Sequence, residues 1–133
     1  MAVNADGVHL GSSDMDIVTA RSILGNSKII GGSCRDSETA KLLENSGADY
    51  LGVGAVFGTQ TKQDAKTISV EILKQVCSSI NIPVVAIGGV NAENIAKLKG
   101  SGVAGVAVIS SILKAKNVEI ATKNICEQLK QIL

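Results

Sequence analysis

"GADYLGVGAVFGTQTK", Gly47 to Lys62, joins a helix exit, an apolar run and a polar loop within sixteen residues. The run from Tyr50 to Val56 is continuous rather than alternating in polarity, so a strand built from it is buried on both faces, as in a parallel sheet. Gly47 suits the left-handed turn that closes a preceding helix. Downstream, "GTQTKQDAKTIS" (Gly58–Ser69) is polar and ends at a residue able to cap a new helix. Strand, loop and helix in that order make one βα unit.

The same unit recurs in both directions from this stretch. Short β-type runs begin at Gly7 (to Leu10), Lys28 (to Gly31), Tyr50 (to Val56), Pro83 (to Ile87) and Gly105 (to Ile109), at intervals of 21, 22, 33 and 22 residues. Between them, helix starts are marked by Asp36 or Ser37, by Ser69 and by Asn91, each offering a side-chain oxygen to unpaired N–H groups. Spaced apolar residues follow each start: Ala40, Leu42 and Leu43; Ile72, Leu73 and Val76; Ile95 and Leu98. The last helix carries Ile120, Ile125, Leu129 and Ile132. Five βα units in one domain over residues 1–133 are expected. The long interval holds the polar loop after the third strand, on the side where strand C-termini point and where parallel α/β folds bind ligands.

Composition narrows the function classes. The chain has 133 residues, 45% of them hydrophobic and 19% charged, with a formal net charge of +1. No Lys/Arg stripe could neutralise a run of phosphates, and Tyr50 and Phe57 are the only aromatic residues besides the single histidine, so nucleic acid is not an expected partner. Cys34, Cys77 and Cys126 are odd in number and have no C-x-x-C spacing, which argues against a disulfide framework or a zinc site and fits a reducing cytoplasm. No apolar stretch reaches the roughly 18 residues of a membrane span.

The strand ends collect His9, Asp14, Ser33, Cys34, Thr59, Thr61, Lys62, Gly88, Gly89, Ser110 and Ser111. Such a set suits a phosphorylated ligand with a divalent cation. "AIGGVNAENI" (Ala86–Ile95) runs a strand into paired glycines and a capped turn, and "VAVISSIL" (Val106–Leu113) repeats the design one unit later. Adjacent loops of this kind bind phosphate in many TIM-type barrels. Asp14 could hold Mg²⁺, which takes one or two carboxylates and leaves the rest to water and phosphate, or could cap the helix beginning near Met15, with Asp16 as a competing cap. Lys62 could neutralise a diphosphate as a point charge or simply be solvated. His9 reads as a packed strand residue rather than a base; Cys34 and His9 could be neighbours at adjacent strand ends, but a Cys–His nucleophile needs a geometry that sequence does not show, and it is not the expected chemistry.

"ADGVHLGSSDM", "GADYLGVGAVFGTQTK", "IPVVAIGGVNAENI" and "GVAGVAVISSIL" occur in order along almost the whole chain, and together they resemble thiamine-phosphate synthase. The resemblance implies a TIM-type barrel that joins hydroxymethylpyrimidine diphosphate to thiazole phosphate, releasing pyrophosphate and giving thiamine phosphate, with Mg²⁺ assisting. It implies that Asp14 is a Mg²⁺ ligand and that Ser33 contacts the pyrimidine substrate. Thr59 and Thr61 would grip the thiazole phosphate, and Lys62 the diphosphate. Gly88, Gly89, Ile109 and Ser110 would complete the thiazole-phosphate cradle.

Three positions depart from the family pattern: Ser12 stands where Gln is usual, Gly58 where Pro is usual, and Arg35-Asp36 where His or Asn often follows the serine. Gly58 should loosen the loop backbone. The family also begins with three further βα units that contribute diphosphate and Mg²⁺ ligands, and none of them is in this sequence. The expectation is therefore the (βα)5 portion of a (βα)8 barrel, with little or no synthase activity by itself. Its open strand edges should associate with another copy or with a partner that completes the barrel. Two alternatives stand beside synthase chemistry. One is a non-catalytic phosphate-binding remnant or assembly module. The other is the related thiazole tautomerase, disfavoured because Ala55 occupies the position of its His and the Thr-x-Thr-Lys loop is kept.

Overall fold

The computed structural model describes residues 3–58 and 66–133, so Thr59, Thr61 and Lys62 lie outside the described residues. The chain alternates strand and helix. In order these are β1 (Gly7–Leu10), α1 (Ile17–Leu24), β2 (Ile29–Cys34), α2 (Ser37–Asn45), β3 (Tyr50–Gly54), α3 (Val70–Ser79), β4 (Val84–Ile87) and a 3₁₀ turn (Ile95–Leu98). Then come β5 (Gly105–Ala107), the short α4 (Ser110–Leu113) and α5 (Val118–Leu129).

The five strands form one sheet in sequential order β1-β2-β3-β4-β5, every neighbouring pair parallel. Each connection is therefore a crossover to the adjacent strand, as the continuous apolar runs require. Successive residues of a strand face opposite sides of the sheet. On the helix side lie Ile30, Leu51, Val53, Val84 and Ala86, all buried, packed with Leu73 and Val76 of α3 and with Ile95 and Leu98 of the 3₁₀ turn. The opposite side carries His9, Ser33, Tyr50, Val85 and Ile87 among five glycines, Gly7, Gly31, Gly52, Gly54 and Gly105.

Helix starts follow the side-chain oxygens. Asp16 accepts the Thr19 N–H at 2.9 Å, Asp36 that of Thr39 at 2.8 Å, Ser69 that of Ile72 at 3.3 Å, and Asn117 that of Ile120 at 3.0 Å. Of the two open choices, Asp36 rather than Ser37 caps α2. Asn91 does not cap an α-helix. Its Oδ1 takes the N–H groups of Glu93 and Asn94, while Asn94 Oδ1 takes the Asn91 N–H, and this closed local network spends both side chains before only a 3₁₀ turn forms. β3 ends at Gly54 and β5 at Ala107, earlier than expected, while β2 runs on to Cys34. Beyond β3 the backbone still pairs: Val56 and Phe57 donate to the carbonyls of Ile87 and Gly88 at 3.0 and 2.9 Å. The Ile68 N–H then returns to Ala55 O at 2.8 Å, so the described ends of the long loop are joined at its base.

At the opposite, N-terminal end of the sheet, Arg21 of α1 gathers three segments. Its guanidinium donates to the carbonyls of Lys28 (2.6 Å), Gly25 (3.1 Å) and Gly47 (2.8 Å) and to Asp49 Oδ2 (2.6 Å). The same Asp49 oxygen accepts the Ile30 N–H at 2.7 Å. The Ile30 bond first, and Arg21 second, hold the Asp49 carboxyl below the usual carboxylate range. Among the described residues no helix is long and apolar enough to cross a membrane.

Candidate functional site

Two clefts of about 430 Å³ each open at the C-terminal ends of the strands, and they share Ile87 and Gly88 as a common wall. The first lies beyond β4 and β5, the second beyond β1, β2 and β3.

The first cleft is lined by Gly58, Gly88, Gly89, Asn91, Ile109, Ser110, Ser111 and Lys114, among others. Gly88 and Gly89 have φ of 93° and 67°, a region that L side chains rarely adopt. Contact closes the case for glycine. A Cβ on Gly88 would meet Ala55 Cα at 2.6 Å, and one on Gly89 would fall against the Phe57 and Gly58 carbonyls. The paired glycines therefore serve close approach of the loop base as well as an open floor for a ligand. Asn94 Nδ2 donates to Gly89 O at 2.9 Å, fixing that peptide plane and turning the following N–H the other way. Ser111 Oγ donates to Val90 O at 2.9 Å and ties the two loops together. Ile109 is the cap residue of α4, and its carbonyl takes the Ile112 and Leu113 N–H groups at 3.2 and 2.9 Å, which leaves the Ser110 and Ser111 N–H groups without a partner inside the helix. Lys114, just past α4, brings a cation to the same wall. Lys114 and Asn91 were not anticipated among the site residues; a lysine four residues after Ser110 was the only signal for the former.

The second cleft is lined by His9, Gly11, Ser12, Ser33, Cys34, Arg35, Asp36, Thr39, Gly52 and Gly54 with Ala55. His9 is not a packed strand residue. It is exposed on the cleft side, with Nε2 2.8 Å from Ser33 Oγ and Nδ1 3.0 Å from Tyr50 Oη. Desolvation lowers its pKa from the ordinary value, and the charge of Asp14 opposes that shift. Cys34 is buried, and burial, with smaller contributions from Asp36 and Cys77, pushes its thiol up to about 12. A thiolate there is disfavoured, and the two His9 ring nitrogens face Tyr50 and Ser33 rather than Cys34, so the geometry does not support a Cys34–His9 nucleophile.

Asp14 sits in the turn after β1. Its Oδ2 accepts the Gly11 N–H at 2.7 Å and its own N–H returns to Gly11 O at 3.1 Å, so the carboxylate is oriented by the backbone. Asp16, not Asp14, caps α1, which resolves that alternative and leaves Asp14 an exposed carboxylate at the strand ends. Among the described residues no three of His, Cys, Asp and Glu cluster as a metal cage. One oriented carboxylate fits Mg²⁺, which keeps several waters and shares phosphate oxygens.

The two clefts thus bring Ser33 to one side of the Ile87–Gly88 wall and Gly89, Ile109 and Ser110 to the other; Asp14 is not in the cleft lining and is tied to it through Gly11, whose N–H it accepts. The model of the family described as thiamine monophosphate synthase matches residues 1–112. A thiamine-phosphate synthase of Methanobrevibacter smithii is 46% identical over 130 residues, 98% of this chain and 62% of that protein. One of Clostridium acetobutylicum is 51% identical over 119 residues, 90% of this chain and 56% of that protein. Among solved structures, thiamine phosphate pyrophosphorylase from Pyrococcus furiosus superposes with a TM-score of 0.91 at 44% identity, covering 99% of this chain and 63% of that one. A 3-hexulose-6-phosphate synthase superposes at 0.73 with 18% identity, covering 96% and 64%, a likeness of fold alone. The chain spans between 56% and 64% of the length of these curated relatives and structures. With its four sequence motifs in order, the family model matching residues 1–112 and 99% of its length superposing on part of a pyrophosphorylase, the chain belongs to the thiamine monophosphate synthase family.

Proposed function

We propose that this chain carries the two substrate clefts of a thiamine-phosphate synthase, a transferase of thiamine biosynthesis. Its reaction joins hydroxymethylpyrimidine diphosphate to thiazole phosphate, giving thiamine phosphate and pyrophosphate. The observation that carries the reading is the pair of adjacent clefts of equal size with one shared wall, Ile87–Gly88. Two phosphorylated substrates held side by side gain the positioning that a two-substrate transfer needs.

In this reading Ser33 meets the pyrimidine, while Gly88, Gly89, Ile109 and Ser110, joined by Lys114, receive the thiazole phosphate. Thr59 and Thr61 add to that phosphate site and Lys62 meets the diphosphate from the loop whose base Ala55 and Ile68 close. Asp14 would hold Mg²⁺, whose chemistry is to neutralise charge on a diphosphate leaving group. The C–O bond to diphosphate breaks with its electron pair leaving on pyrophosphate, the electron-rich pyrimidine stabilises the cation, and the thiazole nitrogen donates the pair that forms the new C–N bond. Lys62 lowers the barrel-mouth cost of that developing negative charge.

The sheet has two edge strands, β1 and β5, each paired on one side only, and we read the unit as the (βα)5 portion of a (βα)8 barrel. Those edges support completion by another copy or by a partner, and a soluble biosynthetic family fits a cytoplasmic setting. A second reading, resting on the glycine-lined cleft alone, is a phosphate-binding module without chemistry; the tautomerase reading is disfavoured by Ala55. Calorimetry with thiazole phosphate, and separately with pyrimidine diphosphate plus Mg²⁺, distinguishes them. Binding of both supports the synthase reading, binding of thiazole phosphate alone the module, and binding of neither overturns both. Turnover by the chain alone should be far below that of a full-length relative.

A further inference from the structure

On the cleft side of the sheet, His9 of β1, Gly31 of β2 and Tyr50 of β3 are register partners in one row across three strands. The two outer side chains meet over the central glycine: the ring centroids are 5.5 Å apart and tilted by 36°. A Cβ on Gly31 would lie 2.6 Å from Tyr50 Oη and inside the phenol ring. One row further on, Ser33 pairs with Gly52, and a Cβ on Gly52 would lie 2.9 Å from His9 Cε1 and 3.3 Å from Nε2. Two glycines on adjacent strands are thus seats for two rings. The consequence is a chain of contacts, Tyr50 Oη to His9 Nδ1 at 3.0 Å and His9 Nε2 to Ser33 Oγ at 2.8 Å, ending in the cleft.

We infer that His9 is a positioning residue for Ser33: Tyr50 selects its Nε2–H tautomer, and that N–H turns the Ser33 hydroxyl proton into the cleft as a donor. A neutral imidazole donates from one nitrogen and accepts at the other, so the partner of Nδ1 decides what Nε2 does. A phenol, with a pKa of about 10, is the more acidic hydroxyl and the better donor, and an aliphatic hydroxyl oxygen the better acceptor. The favoured direction is therefore Tyr50 O–H to Nδ1, then Nε2–H to Ser33 Oγ. The Ser33 proton is left for a ligand, which must present an acceptor there, such as a heteroaromatic ring nitrogen. This deepens the proposed function and rests on its reading that the Ser33 cleft takes the pyrimidine substrate.

His9 is the single histidine of the chain, so a two-bond ¹H–¹⁵N spectrum reports one imidazole without assignment. The wild-type chain at neutral pH should show the Nε2–H pattern, and Tyr50→Phe should move it toward a tautomer mixture. An Nδ1–H pattern in the wild type, or a Tyr50→Phe spectrum identical to it, overturns the inference. In calorimetry with pyrimidine diphosphate plus Mg²⁺, His9→Leu should weaken binding about 3–10-fold, the worth of one oriented hydrogen bond. His9→Gln, which can accept at Oε1 and donate from Nε2, should stay within about threefold of wild type by the same scale. Both variants should leave thiazole-phosphate binding unchanged. His9→Leu binding the diphosphate as tightly as wild type overturns the positioning role. If the wild type binds no pyrimidine diphosphate, the reading of the cleft fails, while the tautomer spectra still decide the His9–Tyr50 assignment.

Discussion

Arg21→Ala tests how the N-terminal end of the sheet is held. The side chain is only 19% accessible and donates to Lys28 O, Gly25 O, Gly47 O and Asp49. These contacts are not of equal worth. The Lys28 bond lies on part-buried ground, and a charge-assisted bond of that kind contributes about 1.5 kcal/mol or more. Gly25 and Gly47 carbonyls are solvated once released and cost little. Asp49 is 47% accessible, so solvent screening limits its ion pair to under about 1 kcal/mol. With the packing of the buried stem, the sum is about 2–3 kcal/mol. For 133 residues the unfolding entropy is about 280 cal/mol/K, which converts the loss to a fall of about 7–11 °C in Tm, followed by far-UV circular dichroism. Arg21→Lys, a point charge in place of a fork, should recover less than half of the difference. Asp49→Asn keeps an acceptor for the Ile30 N–H and should cost about 1 kcal/mol. A Tm for Arg21→Ala within 2 °C of wild type, or Asp49→Asn as damaging as Arg21→Ala, would refute the carbonyl staple as the source of the stability.

Two further outcomes follow from the glycine floor and the titrating groups. Gly89→Ala should destabilise the fold by about 2–3 kcal/mol, combining a left-handed backbone penalty of about 1 kcal/mol with a Cβ forced against the Phe57 and Gly58 carbonyls; thiazole-phosphate binding should fall with it, and a urea midpoint unchanged from wild type would contradict the contact. Stability should decline with acid in two windows. Because the folded pKa of His9 is depressed, the unfolded chain takes up that proton first, so stability present above pH 6.5 is lost as pH falls below it, and His9→Gln removes this window. Asp16, Asp36 and Asp49 are depressed too, by the Thr19, Thr39 and Ile30 N–H groups respectively, and their contribution is lost only as pH falls below 3.8. Urea titrations across pH should show both steps, and a single step would count against the His9 environment.

Much of the fold was legible because it is written in local, repeated signals. The stretch from Tyr50 to Val56 could be read as a buried parallel strand from its unbroken apolar run, and the Asp36-Ser37 pair and Ser69 announced helices through chemistry that acts over three residues. Asn91 misled for the same reason: an oxygen before Ala-Glu-Asn looks like a cap, yet Asn94 competes for the same N–H groups, and a second amide three residues on defeats the helix. The His9–Tyr50–Ser33 contacts were not legible. They span 24 and 41 residues of chain and depend on strand register, which no local pattern states. Nor did any local signal mark Gly31 and Gly52, whose role is to leave room for rings belonging to other strands. Asp14 could be separated from Asp16 only by seeing which of them the Thr19 N–H chose.

The bond from the Ile68 N–H to Ala55 O closes a twelve-residue excursion at its base. A closed base anchors both flanks independently: the strand side is paired through Val56 and Phe57, and the helix side by the Ser69 cap. Loop-closure entropy then sets the cost of change, about 0.6 kcal/mol for each doubling. Lengthening the chain between the anchors at Phe57 and Ile68 should therefore cost the closed base little, which makes this the place to graft a different anion-binding sequence.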